Sequence, residues 1–303
     1  MSAVDVSSEP EVVQKVGYNR RDLILYAAGI GCDELRFVYE LDKNFSAFPT
    51  YPLVLAFRGT SQDVIDFNAN QKSRPPPIPN VQNFDPSKGV HGDQSFELLK
   101  PIPLESQDFT MKSKLTGIWD GGKGAIVEDT SVLYDSKGEP IAKMVSSGFY
   151  IGYGGFGGAK RPKNPLDIPA PITPPEKSVT HKTNANQALL YRLSGDFNPL
   201  HADAEVARRI GFKDPILHGL CTYGNSARAI LSAWVDNDVN RFVSIRGRFS
   251  SPVYPGETLR TDMWKVKEDG DKFLVAFQTR VVERNVVVIN GGVAVLRKAG
   301  AKL

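Results

Sequence analysis

The chain has 303 residues, room for two domains of ordinary size, and its 41% hydrophobic and 23% charged residues fit a soluble globular protein with ample core material. A net charge of +3 requires no nucleic-acid partner, and two distant cysteines, Cys32 and Cys221, exclude a disulfide framework and a cysteine metal site. No apolar run reaches membrane-spanning length, and the polar stretch from Met1 to Pro10 has no signal core. A reducing or non-secretory compartment follows, so the glycosylation-like Asn44-Phe45-Ser46 is read as a chance match.

The first expected element is a helix over Asn19 to Tyr26, with Asn19 at the N-cap and Asp22 three residues on. The proline-rich block from Thr60 to Gly89 reads as a surface excursion. A His-Gly pair, His91-Gly92, follows, and then β-rich runs over Thr110 to Thr116, Ala125 to Leu133 and Ile141 to Ile151. Residues 154–177 hold six prolines and four of the glycines, so they form neither helix nor central strand and read as an ordered or semi-rigid linker.

The plan then repeats. Asn184 to Tyr191 aligns without gaps on Asn19 to Tyr26, with Asn184 and Gln187 in the capping positions. His218-Gly219 is taken as the counterpart of His91-Gly92, and Pro255 to Thr258 as that of Pro103 to Ser106. Leu220, Tyr223, Ala227, Ile230, Leu231 and Trp234 recur at spacings of three and four, which predicts a helix over Leu220 to Val235. Runs over Arg241 to Phe249, Leu259 to Val266, Phe273 to Val282 and Val286 to Leu296 predict the closing strands. The expected division is 1–153, linker 154–177, and 178–303.

The chemistry concentrates in Tyr191-Arg-Leu-Ser-Gly-Asp196-Phe-Asn198-Pro-Leu-His201. Gly195 suits a helix C-terminus, and Pro199 stops the helix from resuming, so Asp196 and His201 share a stiff turn. A carboxylate beside an imidazole can orient a water and transfer its proton. The spacing alone favours an ordinary turn, with His201 capping a helix from Ala202 to Ile210. The repeat favours chemistry: Gly31 and Arg36 occupy the Asp196 and His201 positions in the first half, and only Asp33, opposite Asn198, stays polar. Gly219 at a helix start offers unpaired N–H groups to a developing oxyanion, or merely a sharp turn.

The run Tyr191 to His201 with His218-Gly219 downstream resembles the hydratase 2 motif of the MaoC-like family. The two-half layout resembles the hydratase 2 unit of peroxisomal multifunctional β-oxidation enzymes, over nearly the whole chain. The resemblance implies an α+β double hot-dog fold, each half a long helix wrapped by an antiparallel sheet. It implies hydration of (2E)-enoyl-CoA to (3R)-3-hydroxyacyl-CoA, with Asp196 and His201 catalytic, Asn198 holding the pair and the water, and the Gly219 N–H on the thioester oxygen. His91, Gly92, Lys123, Phe197, Pro199, Leu200 and Phe249 match substrate-contacting positions, while the first half accommodates the acyl chain. Hot-dog proteins commonly pair, so a homodimer is expected. Ala301-Lys302-Leu303 has the form of the tripeptide read by the peroxisomal import receptor.

No metal or redox cofactor is expected, since the four histidines lack ligand spacing. Gly152 to Gly157 satisfies G-x-G-x-x-G, but Pro162 and Pro165 deny it the helix that dinucleotide binding requires. Gly121-Gly122-Lys123-Gly124 lacks the P-loop Ser/Thr, although Lys123 in such a turn suits a CoA phosphate as well as solvent. An acyl-CoA thioesterase on the same fold and a non-enzymatic acyl-CoA-binding module are the other readings.

Overall fold

The computed structural model describes residues 3–67 and 75–300. Ten strands make one continuous antiparallel sheet: β1 (Val12–Tyr18), β2 (Gly89–Leu98), β3 (Ser106–Asp120), β4 (Gly124–Tyr134), β5 (Pro140–Ile151), β6 (Lys177–Lys182), β7 (Phe242–Phe249), β8 (Thr258–Asp269), β9 (Lys272–Val281) and β10 (Val286–Arg297). Their spatial order is β1-β3-β4-β5-β2-β7-β10-β9-β8-β6. Matched by chain order, β1 to β5 and β6 to β10 run outward identically from the β2–β7 seam, so the sequence repeat is a structural pseudo-two-fold. At the seam, pairs such as Asp93 with Arg248 and Phe96 with Ile245 join the halves by ladder hydrogen bonds. The double hot-dog fold implied by the resemblance is the fold observed.

Helices pack against the sheet. They are α1 (Arg20–Gly29), α2 (Leu35–Val38), α3 (Leu55–Arg58), α4 (Gln187–Tyr191), α5 (Ala204–Ile210) and α6 (Gly219–Val235). Asn19 caps α1 in a full capping box with Asp22, as its sequence predicts. The second copy differs: Asn186 stands at the N-cap of α4, and Gln187 Oε1 accepts from the Asn184 N–H. Asp203, not His201, caps α5 through the N–H groups of Glu205 and Val206.

The central helix of the second half, α6, is buried along most of its 17 residues, and β7, β8 and β10 pack around it. The first half has no long equivalent among the described residues. There Tyr51–Val54 forms a tight turn carrying Pro52, α3 follows for one turn, and Gly59 at φ +61 ends it. The excursion after Thr60 also does more than cross the surface: Ile78, Val81 and Phe84 pack with Ile118, Val127 and Tyr150 in a second, smaller core. The linker lies ordered against the sheet, where Asp120 accepts from the N–H groups of Gly155 and Gly157 and Arg161 reaches Asp93 and Glu128.

The halves also join through helix ends. The last carbonyls of α1 lack partners within the helix. Gln187 Nε2 reaches the Gly29 carbonyl at 2.6 Å, Cys221 Sγ reaches it at 3.3 Å, and Asn225 Nδ2 donates to Ile30 at 3.3 Å.

Candidate active site

α4 tightens into a 3-10 turn over Arg192–Ser194 and stops at Gly195, whose φ of +133 is one that side-chain-bearing residues rarely adopt. A Cβ at Gly195 would stand 3.2 Å from Arg58 Cβ and 3.3 Å from the Val54 carbonyl, so the first half presses directly on this turn. Two nested bonds then stiffen the loop. Asp196 Oδ1 accepts from the Asn198 N–H at 3.2 Å, and Asn198 Oδ1 accepts from the Leu200 N–H at 3.0 Å. Pro199 opens the short turn that ends at His201. The loop thereby brings Asp196 and His201 together, and the carboxylate and ring nitrogens of Asp196, His201 and His218 lie within 4.8 Å of one another.

The tautomers follow from the carbonyls, which can only accept. His201 Nδ1–H donates to the Ile216 carbonyl at 2.8 Å, leaving Nε2 with a free lone pair. His218 Nε2–H donates to the Asp196 backbone carbonyl at 3.1 Å, while its Nδ1 is buried with no partner. The two rings stack at 3.7 Å with 25° between planes, and Tyr191 closes the other flank of His218 at 4.9 Å. Stacked rings point their in-plane lone pairs side by side rather than at one point, which suits a proton site better than a shared cation.

Burial governs the charges. It penalises ionisation of Asp196 and pushes its carboxyl up, against the attraction of His201 and the Asn198 N–H. The same burial pushes His201 below the ordinary imidazole value, with Asp196 pulling the other way. His218 is held well below that value by burial first, with repulsion from any charge on His201 and from Arg192 adding to it, so it stays neutral. A buried neutral imidazole beside a carboxylate is a proton acceptor.

Gly219 is the first residue of α6, where the N–H has no acceptor within the helix, and His218 at the N-cap leaves it uncapped. The Phe249 ring lies over Gly219, 3.2 Å from where a Cβ would stand, and His91 packs on Phe249 at 4.6 Å. The loop, the α6 start, Phe249 and His91 thus meet at the seam end of β2 and β7.

The remaining sequence candidates divide. Phe197 is buried beneath the Arg192 guanidinium, 5.1 Å from its ring, whereas Pro199 and Leu200 are half-buried in the turn. Gly92 sits at a register shift between β2 and β5, where a Cβ would come 3.1 Å from the Ser147 carbonyl, so its first requirement is the bulge. His91-Gly92 lies inside a strand and is not the counterpart of His218-Gly219, contrary to the repeat reading. Lys123 is exposed in the β3–β4 turn, separated from β7 by β4, β5 and β2. The His218 ring is the residue that sequence reasoning missed, because the dipeptide drew attention to Gly219 alone. The Tyr191 that opens the motif was the available signal, since it packs on that ring.

A family model described as "MaoC like domain" matches residues 168–291, and one described as "MFE-2 hydratase 2 N-terminal domain" matches residues 17–152. The chain is 40% identical over 291 residues to the probable enoyl-CoA hydratase 2 of Dictyostelium discoideum, covering 94% of this chain and 93% of that protein. It is 40% identical over 297 residues to the peroxisomal multifunctional enzyme type 2 of Drosophila melanogaster, covering 94% of this chain and 47% of that one. Its fold matches the crystal structure of a MaoC-like dehydratase from Phytophthora capsici with a TM-score of 0.89 and 43% identity, over 98% of this chain and 99% of the other.

Proposed function

The chain belongs to the MaoC-like hydratase 2 family and is a hydro-lyase, and we propose that it adds water across the 2,3-double bond of a (2E)-enoyl-CoA to give the (3R)-3-hydroxyacyl-CoA. One observation carries the reading: His201 keeps a lone pair on Nε2, beside a half-buried carboxylate and next to an uncapped helix start. Conjugation with the thioester makes C3 electrophilic. As Asp196 and His201 draw a proton from the water, its oxygen bonds to C3 and the π electrons move onto the thioester oxygen. The Gly219 N–H and the partial positive charge of the α6 N-terminus stabilise that oxyanion. The enolate then collapses and C2 takes a proton from the same pair, so atoms and charge balance without a redox step. Asn198 holds the loop geometry, and Phe249 and His91 shape the entrance over Gly219.

The first half takes the acyl chain under this reading, because Gly31 and Arg36 stand where the acid–base pair would be. Peroxisomal location and the import-receptor contact through Ala301–Leu303 belong to the same proposal, as does a homodimer; the tripeptide lies outside the described residues. The test is to mix the protein with crotonyl-CoA and follow the ultraviolet absorbance of the conjugated thioester together with free thiol. Absorbance loss without thiol release, giving the 3R product on chiral analysis, is expected. Thiol release instead would make the chain a thioesterase, and binding with neither change would make it a carrier.

A further inference from the structure

An isolated helix of one turn does not persist in water, and α3 has only the four residues Leu55–Arg58. Gly59 at φ +61 ends it, so its place depends on what its side chains and carbonyls hold. β1 supplies two ties. Gln14 Nε2 donates to the Ala56 carbonyl at 3.1 Å, and the Gly17 N–H donates to the Gly59 carbonyl at 3.1 Å. The third tie is an ion pair: Arg58 Nη1 meets Asp22 Oδ1 at 2.7 Å, and the two side chains are only 6% and 4% exposed. Each partner is fixed at a further atom. Arg58 Nε donates to the Ser61 carbonyl at 3.2 Å, and Asp22 Oδ2 accepts from the Asn19 N–H at 2.9 Å, at the N-terminus of α1.

What α3 backs is the loop that carries Asp196. From the position of a Cβ on Gly195, the Val54 carbonyl is 3.3 Å away, Arg58 Cβ 3.2 Å and the Arg58 N–H nitrogen 3.4 Å. Asp196 is the next residue, so a shift of α3 reaches its carboxylate through one peptide unit. The pseudo-two-fold supplies a comparison. Asp22 and Gln187 occupy the same position in the aligned segments, and Gln187 donates directly to the Gly29 carbonyl at 2.6 Å, two residues before Gly31, the counterpart of Asp196. The loop that lacks the acid–base pair is thus held by a neutral amide, whereas the loop that has it is backed by a buried charged pair. Such a pair adds little stability over apolar residues of similar volume, and its best-attested use is to fix one arrangement against others.

We propose that Asp22 and Arg58 are positioning residues for hydration: their ion pair locks α3 beneath Gly195 and so fixes how Asp196 faces His201. The proposal rests on the assignment of the chemistry to Asp196 and His201. The half without an acid–base pair thereby contributes to the rate of the half that has one. Neither side chain touches substrate, so their removal acts on the chemical step through the loop and leaves thioester binding in place.

The experiment pairs crotonyl-CoA kinetics with hydrogen–deuterium exchange of the full chain, for the wild type, Arg58→Lys, Arg58→Met and Asp22→Asn/Arg58→Met. Arg58→Met strands the Asp22 carboxylate; the double variant removes both charges and keeps the test open if that single variant does not fold. In the double variant kcat should fall roughly ten- to hundredfold with KM within about twofold. Its backbone amides over 195–201 should exchange at least roughly tenfold faster, while those of β8 to β10 keep their rates. One hydrogen bond joins the pair, so the ammonium of Arg58→Lys can replace it and should restore much of kcat. Normal kcat in the folded double variant, a loss carried by KM alone, unchanged exchange over 195–201, or an Arg58→Lys as slow as the charge-free variants would each overturn the brace. A wild type that does not hydrate crotonyl-CoA would sink the hydratase reading instead, and exchange over 195–201 would then decide the brace alone.

Discussion

His201 and His218 lie face to face and differ in what they can do, because each gives a different nitrogen to a backbone carbonyl. His201 keeps Nε2 without a partner, whereas His218 uses its Nε2 to hold the Asp196 carbonyl. Two predictions follow at this scale. Burial lowers His201 from an ordinary value of about 6.5, so hydration should persist below that pH and fall only when the Asp196–His201 pair takes up a proton. Asp196→Asn removes the attraction that opposes this lowering, so the residual acid limb of kcat/KM should move to still lower pH. An acid limb at or above 6.5 in the wild type would contradict the burial argument. His218→Phe keeps a ring of similar shape but drops the bond to Asp196, and misplacing the loop should reduce kcat roughly ten- to hundredfold with little change in KM. Unchanged kcat in a folded His218→Phe would remove its positioning role.

At the scale of elements, α6 of the second half meets the C-terminal end of α1. A Cβ at Gly224 would stand 2.6 Å from Ile30 Cγ2 and 3.2 Å from the Tyr26 hydroxyl. Gly224→Ala gains helix propensity but forces the two helices apart, and overpacking of this kind costs about 1–3 kcal/mol. The midpoint of chemical denaturation should fall accordingly; a stabilised variant would mean that the contact relaxes freely. The same elements show what was legible beforehand. Alternating apolar residues announced β3 to β5 and β7 to β10, and apolar spacing announced α6 to within a residue. β6 was silent because its exposed run, Lys177–Lys182, carries two lysines and a histidine at a sheet edge, and β2 because Gly92 and Asp93 interrupt its pattern. His91-Gly92 misled because a shared dipeptide says nothing about topology. The Asp196-to-His201 loop was legible, since Gly195, Asn198 and Pro199 dictate its shape locally. The His218 stack depends on where a distant helix starts and was not.

For the whole molecule, burial of the imidazoles beside Asp196 couples stability to pH. The unfolded chain protonates His218 near pH 6.5, whereas burial holds the folded imidazole well below that value. The unfolded state then binds more protons, so this contribution to stability is complete above pH 6.5 and is lost as the pH falls. Asp196, pushed upward, acts in the opposite sense, so the informative quantity is the wild type minus His218→Phe. That difference should shift against the wild type by up to about 1.4 kcal/mol per pH unit below 6.5, and a flat difference would mean that His218 charges within the fold. The central claim is that one half supplies all the acid–base chemistry through Asp196 and His201 acting on one water. It is tested most directly by crotonyl-CoA hydration rates for Asp196→Asn, His201→Gln and the double variant, each with circular dichroism like the wild type. Each single substitution should lower kcat/KM by about 10²–10⁴, and the double should be little worse than either single one. Multiplicative losses in the double variant, or near-normal hydration in either single one, would contradict it.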